Sequence, residues 1–176
     1  GNTHVHFEIV MDGIPIDPTP FCDGSGGGFG DIPTTPYTPP AEGWCSVAYL
    51  QTYFGDLASA ASCVCQHESG GRADALSGKS CLRAPPNNTM EYSRGLFQVN
   101  FLYHNAAGVQ CVQAFDPPRA STQCTIRNED ILKQCNDYYS NPDNNAAYAA
   151  ELQKRNGWSP WVYSANACRL SRPNGL

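Results

Sequence analysis

Hydrophobic and polar residues alternate near the start of the chain. From position 5 to position 9, apolar side chains occupy every second residue, which is the period of a half-buried β-strand. Asp12-Gly13 follows, and this dipeptide favours a two-residue hairpin turn. Pro15 and Pro18 confine the returning strand to the edge of a sheet. The pattern therefore predicts a β-hairpin within residues 1–21.

A segment rich in glycine and proline separates this hairpin from the rest of the chain. Residues 22–41 hold five glycines and four prolines. Glycine makes such a segment flexible and proline makes it extended, a composition typical of linkers. We therefore expect residues 22–41 to be a linker and residues 42–176 to form the main domain.

Apolar residues in the main domain recur at the 3.6-residue period of amphipathic helices. Residues 76–100 lack this period, so they predict a small irregular or β lobe. The expected fold is mainly α. The predicted helices are Trp44 to Phe54, a helix closed by Gly70-Gly71, residues 128–139 with Ile131, Cys135 and Tyr138 on one side, a helix from Asn141-Pro142 to Gly157, and Pro160 towards Cys168.

Nine cysteines change this picture from a simple helical domain to a disulfide-stabilised one. Eight of them follow residue 44, at irregular spacings that do not match zinc-finger motifs. A disulfide framework indicates an extracytoplasmic setting. The pairing cannot be derived from spacing, although Cys111 and Cys124 suggest a local loop closure. Cys22 is left without an assigned partner.

Charge is distributed unevenly and excludes one class of function. Residues 1–41 carry five acidic and no basic residues, which accounts for the whole net charge of −5. The main domain is neutral, which argues against nucleic-acid binding because such binding depends on neutralising phosphates. No run of 18 apolar residues is present, so no membrane span is predicted. We expect a monomer that needs no cofactor.

Glu68 is the residue whose position most strongly indicates chemistry. Ala61, Val64 and Glu68 share one helix face, and Leu57 is expected on that face one turn earlier. Burial disfavours the charged carboxylate, and so does the negative end of the helix dipole. Both effects raise the pKa, as a general acid requires. The structural alternative is a glutamate that caps backbone amides or pairs with an arginine.

A polar and glycine-containing segment follows Glu68. Gly95 would allow a close approach of the backbone to a ligand. Gln98 and Asn100 point to the same side of an extended strand and offer amides to sugar hydroxyl and acetamido groups. An ordinary turn and strand is the alternative interpretation.

These motifs in this order resemble the lysozyme-like superfamily, in particular transglycosylase domains of the goose-type lysozyme kind. The resemblance spans roughly residues 44–168. It rests on Gln66-His67-Glu68-Ser69-Gly70-Gly71, on Glu91 to Asn100, and on Asn141 to Asn145 with Gly157-Trp158-Ser159-Pro160-Trp161. It implies cleavage of the β-1,4 bond between N-acetylmuramic acid and N-acetylglucosamine in peptidoglycan. It would make Glu68 the catalytic acid and would place Ser93, Gln98 and Asn145 around the saccharide.

The number of catalytic carboxylates remains open. Glycosidases that hydrolyse usually pair two carboxylates, and Glu91 and Asp74 are the candidates for the second. The structural alternative is a solvated charge at the rim for Glu91 and a loop or capping residue for Asp74. A lytic transglycosylase of the resembled family needs one glutamate, because the C6 hydroxyl of the substrate attacks instead of water.

Aromatic residues suggest platforms for sugar rings. Tyr103, Trp158, Trp161 and Tyr163 are the candidates, and Tyr163 is predicted to bind substrate. Packing against helix ends is an equal alternative for the two tryptophans.

The N-terminal piece resembles the tail of a LytM-type zinc endopeptidase. His4-Val5-His6 followed by Gly13-Ile14-Pro15 carries this resemblance. It implies that His6 was a zinc ligand and that His4 assisted catalysis. One ligand is too few for a catalytic zinc site, which needs about three, so no metal is predicted here.

Two functions without catalysis are also compatible with these residues. One is a glycan-binding module that keeps the cleft. The other is a structural component of a secretion or phage machine. Intact Glu68, Ser93 and Gln98 favour the enzyme.

Overall fold

A computed structural model describes residues 9–11, 14–16, 37–77, 83–84, 89–115 and 126–170. The chain divides into two compact units, Gly1–Pro36 and Tyr37–Leu176. In the described part of the first unit, strands β1 (Ile9–Met11) and β2 (Ile14–Ile16) pair antiparallel, with Met11 opposite Ile14. The predicted hairpin is therefore confirmed. His4, His6, Asp12, Gly13 and Cys22 lie outside the described residues.

The second unit is mainly helical, as expected, with a small antiparallel sheet. Its described helices are α1 (Val47–Phe54), α2 (Ala58–Ser69), α3 (Glu129–Ser140), α4 (Pro142–Asn156) and α5 (Val162–Ala167). Single 3-10 turns occupy Gly55–Leu57, Cys111–Ala114 and Ser159–Trp161. None of the helices in the described ranges is long and apolar enough to cross a membrane.

The β lobe lies in sequence between α2 and α3. Strand β6 (Ser93–Arg94) is central and pairs antiparallel with β3 (Leu76–Ser77) and β7 (Val99–Asn100). Two more short strands, β4 (Arg83–Ala84) and β5 (Thr89–Met90), pair with each other. The lobe predicted over residues 76–100 is thus a set of two-residue strands.

Helix ends follow local capping chemistry. Asn141 accepts a hydrogen bond from the Asn144 amide and Pro142 is the first residue of α4, as predicted. Asn128 caps α3 in the same way through the Ile131 amide. Helix α1 begins at Val47 after the cap Ser46, so the predicted start at Trp44 is wrong, and Trp44 is exposed.

Two predicted helix faces are correct only in part. Leu57 belongs to the 3-10 turn before α2 and is exposed, whereas Ala61 and Val64 are fully buried. In α3 the buried residues are Leu132, Cys135 and Tyr139. The face shifts by one position because the buried stripe follows Cys135, which is held in a disulfide, and Tyr139, whose hydroxyl donates to the Asn105 carbonyl.

Three disulfides join the described parts of the second unit. They are Cys45–Cys65, Cys63–Cys168 and Cys111–Cys135. The local closure suggested between Cys111 and Cys124 is wrong, because α3 carries Cys135 to the buried 3-10 turn that begins at Cys111. Cys63–Cys168 links α2 to the residue after α5 and spans 105 positions.

The hydrophobic core has two clusters. One gathers α1, α2 and α4 around Phe97, Trp158 and Trp161. The other lies under the β lobe and contains Tyr92, Phe101 and Tyr139 with the Cys111–Cys135 disulfide. The loop between β6 and β7 contributes Leu96 and Phe97 to the first cluster, and β7 contributes Val99 to the second. The segment from Ser93 to Asn100 also carries several of the polar residues predicted to bind sugar.

Candidate functional site

Glu68 is the penultimate residue of α2. The helix ends because Gly70 adopts a left-handed conformation, φ +62°, while its amide still donates to the Gln66 carbonyl. This ending leaves Glu68 half-buried between exposed His67 and buried Ser69. The glycine pair therefore positions the carboxyl group by stopping the helix just beyond it.

The Glu68 carboxyl has one prominent side-chain partner, which lies far away in sequence. The buried hydroxyl of Ser164 in α5 donates a hydrogen bond to Glu68 Oε1. Burial raises the pKa of Glu68, and the charge of Glu91 raises it further, while the Ser164 hydrogen bond lowers it. Burial is the largest of these effects, so the predicted upward direction is confirmed.

Glu91 lies just before β6 and interacts with Glu68 through its charge. Its Oε1 is 2.6 Å from Ser77 Oγ, and the same hydroxyl is 2.8 Å from Gln98 Oε1. A serine carries one proton to donate, so it serves these two acceptors in turn or shares the proton between them. Ser77 thus connects the second candidate carboxylate to the strand loop.

Gln98 uses its amide group to hold the loop between β6 and β7. Its Nε2 donates to the carbonyl of Gly95 at 2.9 Å and to that of Ala75 at 3.2 Å. Both amide hydrogens are therefore occupied, and Oε1 is what it can offer to a ligand. Its backbone has φ +46°, an uncommon conformation for a residue with a side chain and one often found at functional sites.

Asn145 is a positioning residue, since it is fully buried and its amide is saturated. Its Nδ2 donates to the carbonyls of Arg94 and Tyr139, and its Oδ1 accepts from the Phe97 amide. The direct contact with saccharide that the sequence predicted for Asn145 does not fit this burial. Asn145 instead joins the start of α4 to the loop between β6 and β7.

Gly95 is required by this same junction. Its φ is +83°, and an added Cβ would overlap the Asn145 amide and the Tyr139 carbonyl. What approaches the Gly95 backbone is therefore another part of the protein, where the sequence predicted a ligand.

Ser93 and Asn100 face each other across β6 and β7. Ser93 is buried, and Asn100 accepts a hydrogen bond from the Leu102 amide at 3.0 Å through Oδ1. Both residues lie in the small sheet with Ser77.

A cavity of about 310 Å³ lies beside β7. Glu68 is not among its lining residues. The cavity combines amide, hydroxyl and ring surfaces, the mixture of polar and apolar groups typical of small-molecule sites. Its lining includes Gln98, Asn100, Tyr103, His104, Leu152 and Trp161.

The aromatic candidates divide by exposure. Tyr103 is 64% exposed and Tyr163 is 65% exposed, so both can meet a ligand. Trp158 and Trp161 are buried, and the Trp161 indole donates to the Phe97 carbonyl at 2.7 Å. Trp158 therefore packs in the hydrophobic core, while Trp161 packs in the core and also lines the cavity.

Sequence reasoning missed Ser77 and Ser164. Ser77 sits opposite Ser93 in the β3–β6 register, but no period marks a two-residue strand. Ser164 would have been found from the Cys63–Cys168 pairing, because it precedes Cys168 by one helical turn. That pairing cannot be read from spacing.

One cluster in the described ranges has the ligand types of a metal site. Cys63, His67 and Cys168 bring their donor atoms within 4.8 Å of one another. The two sulfurs are bonded to each other, so they are not available as thiolate ligands. The cluster is a disulfide with a histidine beside it.

Comparison of the chain with protein-family models, with curated proteins and with solved structures found no match.

Proposed function

We propose that the domain formed by residues 42–176 cleaves the glycan strands of peptidoglycan, as a lytic transglycosylase or a muramidase, with Glu68 as the general acid. The observation that carries this proposal is a half-buried glutamate whose pKa is raised by burial. It lies at the end of a helix and interacts electrostatically with a polar strand lobe. The motif order that resembles the lysozyme-like superfamily supplies the substrate class.

The proposed reaction begins with proton transfer from Glu68 to the glycosidic oxygen. The bond between that oxygen and C1 of N-acetylmuramic acid breaks, and the proton leaves with the departing N-acetylglucosamine hydroxyl. Glu68, now a carboxylate, accepts a proton from the nucleophile that attacks C1. If the C6 hydroxyl of the same sugar attacks, a 1,6-anhydro end forms, and if water attacks, a reducing end forms.

The strand lobe would bind the glycan chain. Asn100, Tyr103 and Tyr163 would contact it, since both tyrosines are exposed and Asn100 lines the cavity. Ser93 and Gln98 would hold the strands in register. Glu91 would act as the second carboxylate in a hydrolase, because its charge already acts on Glu68. No cofactor is needed for either step.

The disulfides support an extracytoplasmic site of action. Residues 1–21 resemble part of a peptide-cleaving enzyme of bacterial walls, which is compatible with a role in wall degradation. We expect the glycan-cleaving unit to act as a monomer.

Digestion of purified peptidoglycan tests the proposal, with the new glycan ends identified by mass spectrometry. Anhydro ends identify a transglycosylase and reducing ends a muramidase. The control is Asp143→Asn, which changes an exposed carboxylate held by Tyr49 and Tyr53 on the surface. Binding to peptidoglycan without new ends would establish a binding module instead, and neither binding nor cleavage would overturn the proposal.

A further inference from the structure

Ser164 lies in a very short helix. Helix α5 has six residues and begins directly after a 3-10 turn. Ser164 is buried and directs its hydroxyl at Glu68 Oε1, 96 positions away in sequence. A helix of this length is not stable by itself in water, so tertiary contacts hold α5 against α2, and buried Ala165 packs in the same core cluster as Ala61 and Val64 of α2.

The Cys63–Cys168 disulfide adds a covalent link between α2 and the end of α5. Cys63 lies in α2, five residues before Glu68, and Cys168 follows α5. The Cys168 amide donates to the Ser164 carbonyl at 2.9 Å. The disulfide-bonded Cys168 is therefore hydrogen-bonded directly to the serine that contacts the carboxyl group.

We propose that Ser164 is a positioning residue for the Glu68 carboxyl group and that the Cys63–Cys168 disulfide keeps it in place. Its meaning for catalysis rests on the proposed function, but the contact itself does not. A hydroxyl that donates to a carboxylate stabilises the charged form and fixes the orientation of the group. It would aim the acid and limit how far burial raises the Glu68 pKa.

The charged groups around Glu68 do not lower its pKa in place of the Ser164 hydrogen bond. Glu91 faces it from the segment before β6 and raises the pKa. On its own side, His67 precedes it in α2, and Arg72 follows the helix and donates to the Ser69 carbonyl. Ser164 is the contact that lowers the Glu68 pKa, so its loss has a defined sign.

The test is a carbon-13 NMR titration of the Glu68 carboxyl in the full chain, assigned with Glu68→Gln. Ser164→Ala should move the midpoint to higher pH, and Ser164→Thr, which keeps the hydroxyl, should restore the wild-type value. Cys63→Ala with Cys168→Ala should shift the midpoint in the same direction as Ser164→Ala. Adding Ser164→Ala to that pair should give little further shift, because both changes remove one contact.

The matched control is Cys111→Ala with Cys135→Ala, which removes a disulfide in the other core cluster. It should lower stability and leave the Glu68 midpoint where it is. If the Cys63 and Cys168 variant does not fold, partial reduction of the wild type by a dithiol gives the same comparison. The dithiol is oxidised, Cys63 and Cys168 become thiols, and alkylation followed by mass spectrometry counts them.

An unchanged midpoint in folded Ser164→Ala would overturn the proposal for Ser164, and additive shifts would overturn the role of the disulfide. The titration needs no substrate. A protein that cleaves no glycan but shows the predicted shifts would therefore refute the proposed function and leave the positioning contact intact.

Discussion

Asn145 and Glu68 are both polar side chains that helices present to the middle of the domain, yet they differ in how far their hydrogen-bonding capacity is used. Asn145 is fully buried, and its three hydrogen bonds satisfy both amide hydrogens and the oxygen. Glu68 is half-buried, and one of its oxygens accepts from Ser164. A saturated group holds structure, whereas a carboxyl group with a raised pKa and unused capacity can exchange a proton.

Of the residues in these sequence motifs, Asn145 therefore stabilises the fold and Glu68 is available for proton transfer. Asn145 and Gly95 are in close contact, and this contact stabilises the conformation of the loop between β6 and β7. Glu68 contributes little to that contact and sits where burial works against its own charge. We therefore expect substitution of Glu68 to lower chiefly the rate of cleavage, and substitution of Asn145 to lower chiefly the free energy of unfolding.

The largest expected effect is that of Glu68→Gln on glycan cleavage. Because an amide cannot donate the proton, the rate should fall about a thousandfold, within the range of general acid catalysis. The measurement is release of soluble muropeptides from purified peptidoglycan. Asp143→Asn should retain activity within about twofold, since its surface carboxylate does no chemistry. Full activity in Glu68→Gln would remove Glu68 from the mechanism.

Asn145→Ala should be the largest change in stability. It leaves the Phe97 amide and two carbonyls buried without partners, at a cost of about 3 kcal/mol in the free energy of unfolding. Urea unfolding followed by tryptophan fluorescence measures this. Gly95→Ala should cost a similar amount because of its overlap with the same junction. A stable Asn145→Ala protein that had lost only glycan binding would restore the ligand role predicted from the sequence.

Glu91→Gln should have a smaller effect, and its size decides between two chemistries. If Glu68 acts alone, the rate should change by less than about tenfold, and the pKa of Glu68 should fall because a repelling charge is gone. If Glu91 is the second carboxylate, the rate should fall by about a hundredfold or more. Steady-state rates and the NMR titration of Glu68 measure the two quantities separately.

The smallest effect is on the pH dependence of stability. The folded-state pKa of Glu68 lies above its ordinary value of 4.5, so wild-type stability falls as pH rises from that value through the raised pKa. Glu68→Gln lacks this loss. Its melting temperature should match that of the wild type below the window and exceed it by a few degrees above. A wild-type advantage above the window would mean that the charged carboxylate is stabilised in the fold.

The sequence was informative where local rules decide the outcome. The caps at Asn141 and Gly70 and the antiparallel pairing of Ile9–Met11 with Ile14–Ile16 follow from capping chemistry and from the alternation of apolar residues. These features depend on neighbours a few residues away. Spacing along the chain therefore carries enough information to predict them.

The sequence was insufficient where distant segments meet. Ser164 reaches Glu68 across 96 positions, and Cys63 reaches Cys168 across 105. The side-chain amide of Asn145 could form hydrogen bonds with a sugar or with backbone carbonyls. Its burial in the folded domain, which the sequence does not show, decides for the backbone. The individual strands of the β lobe could not be assigned either, because two-residue strands have no period to detect.

The most direct test of the central claim is the pH profile of kcat/KM for peptidoglycan cleavage, measured together with the NMR titration of Glu68 in the same buffers. The account predicts that cleavage is fastest at pH values where Glu68 is protonated. The rate should fall as pH rises, with a midpoint that coincides with the Glu68 titration and moves with it in Ser164→Ala. Cleavage whose falling limb stays in place when the Glu68 midpoint moves would contradict the assignment of Glu68 as the acid.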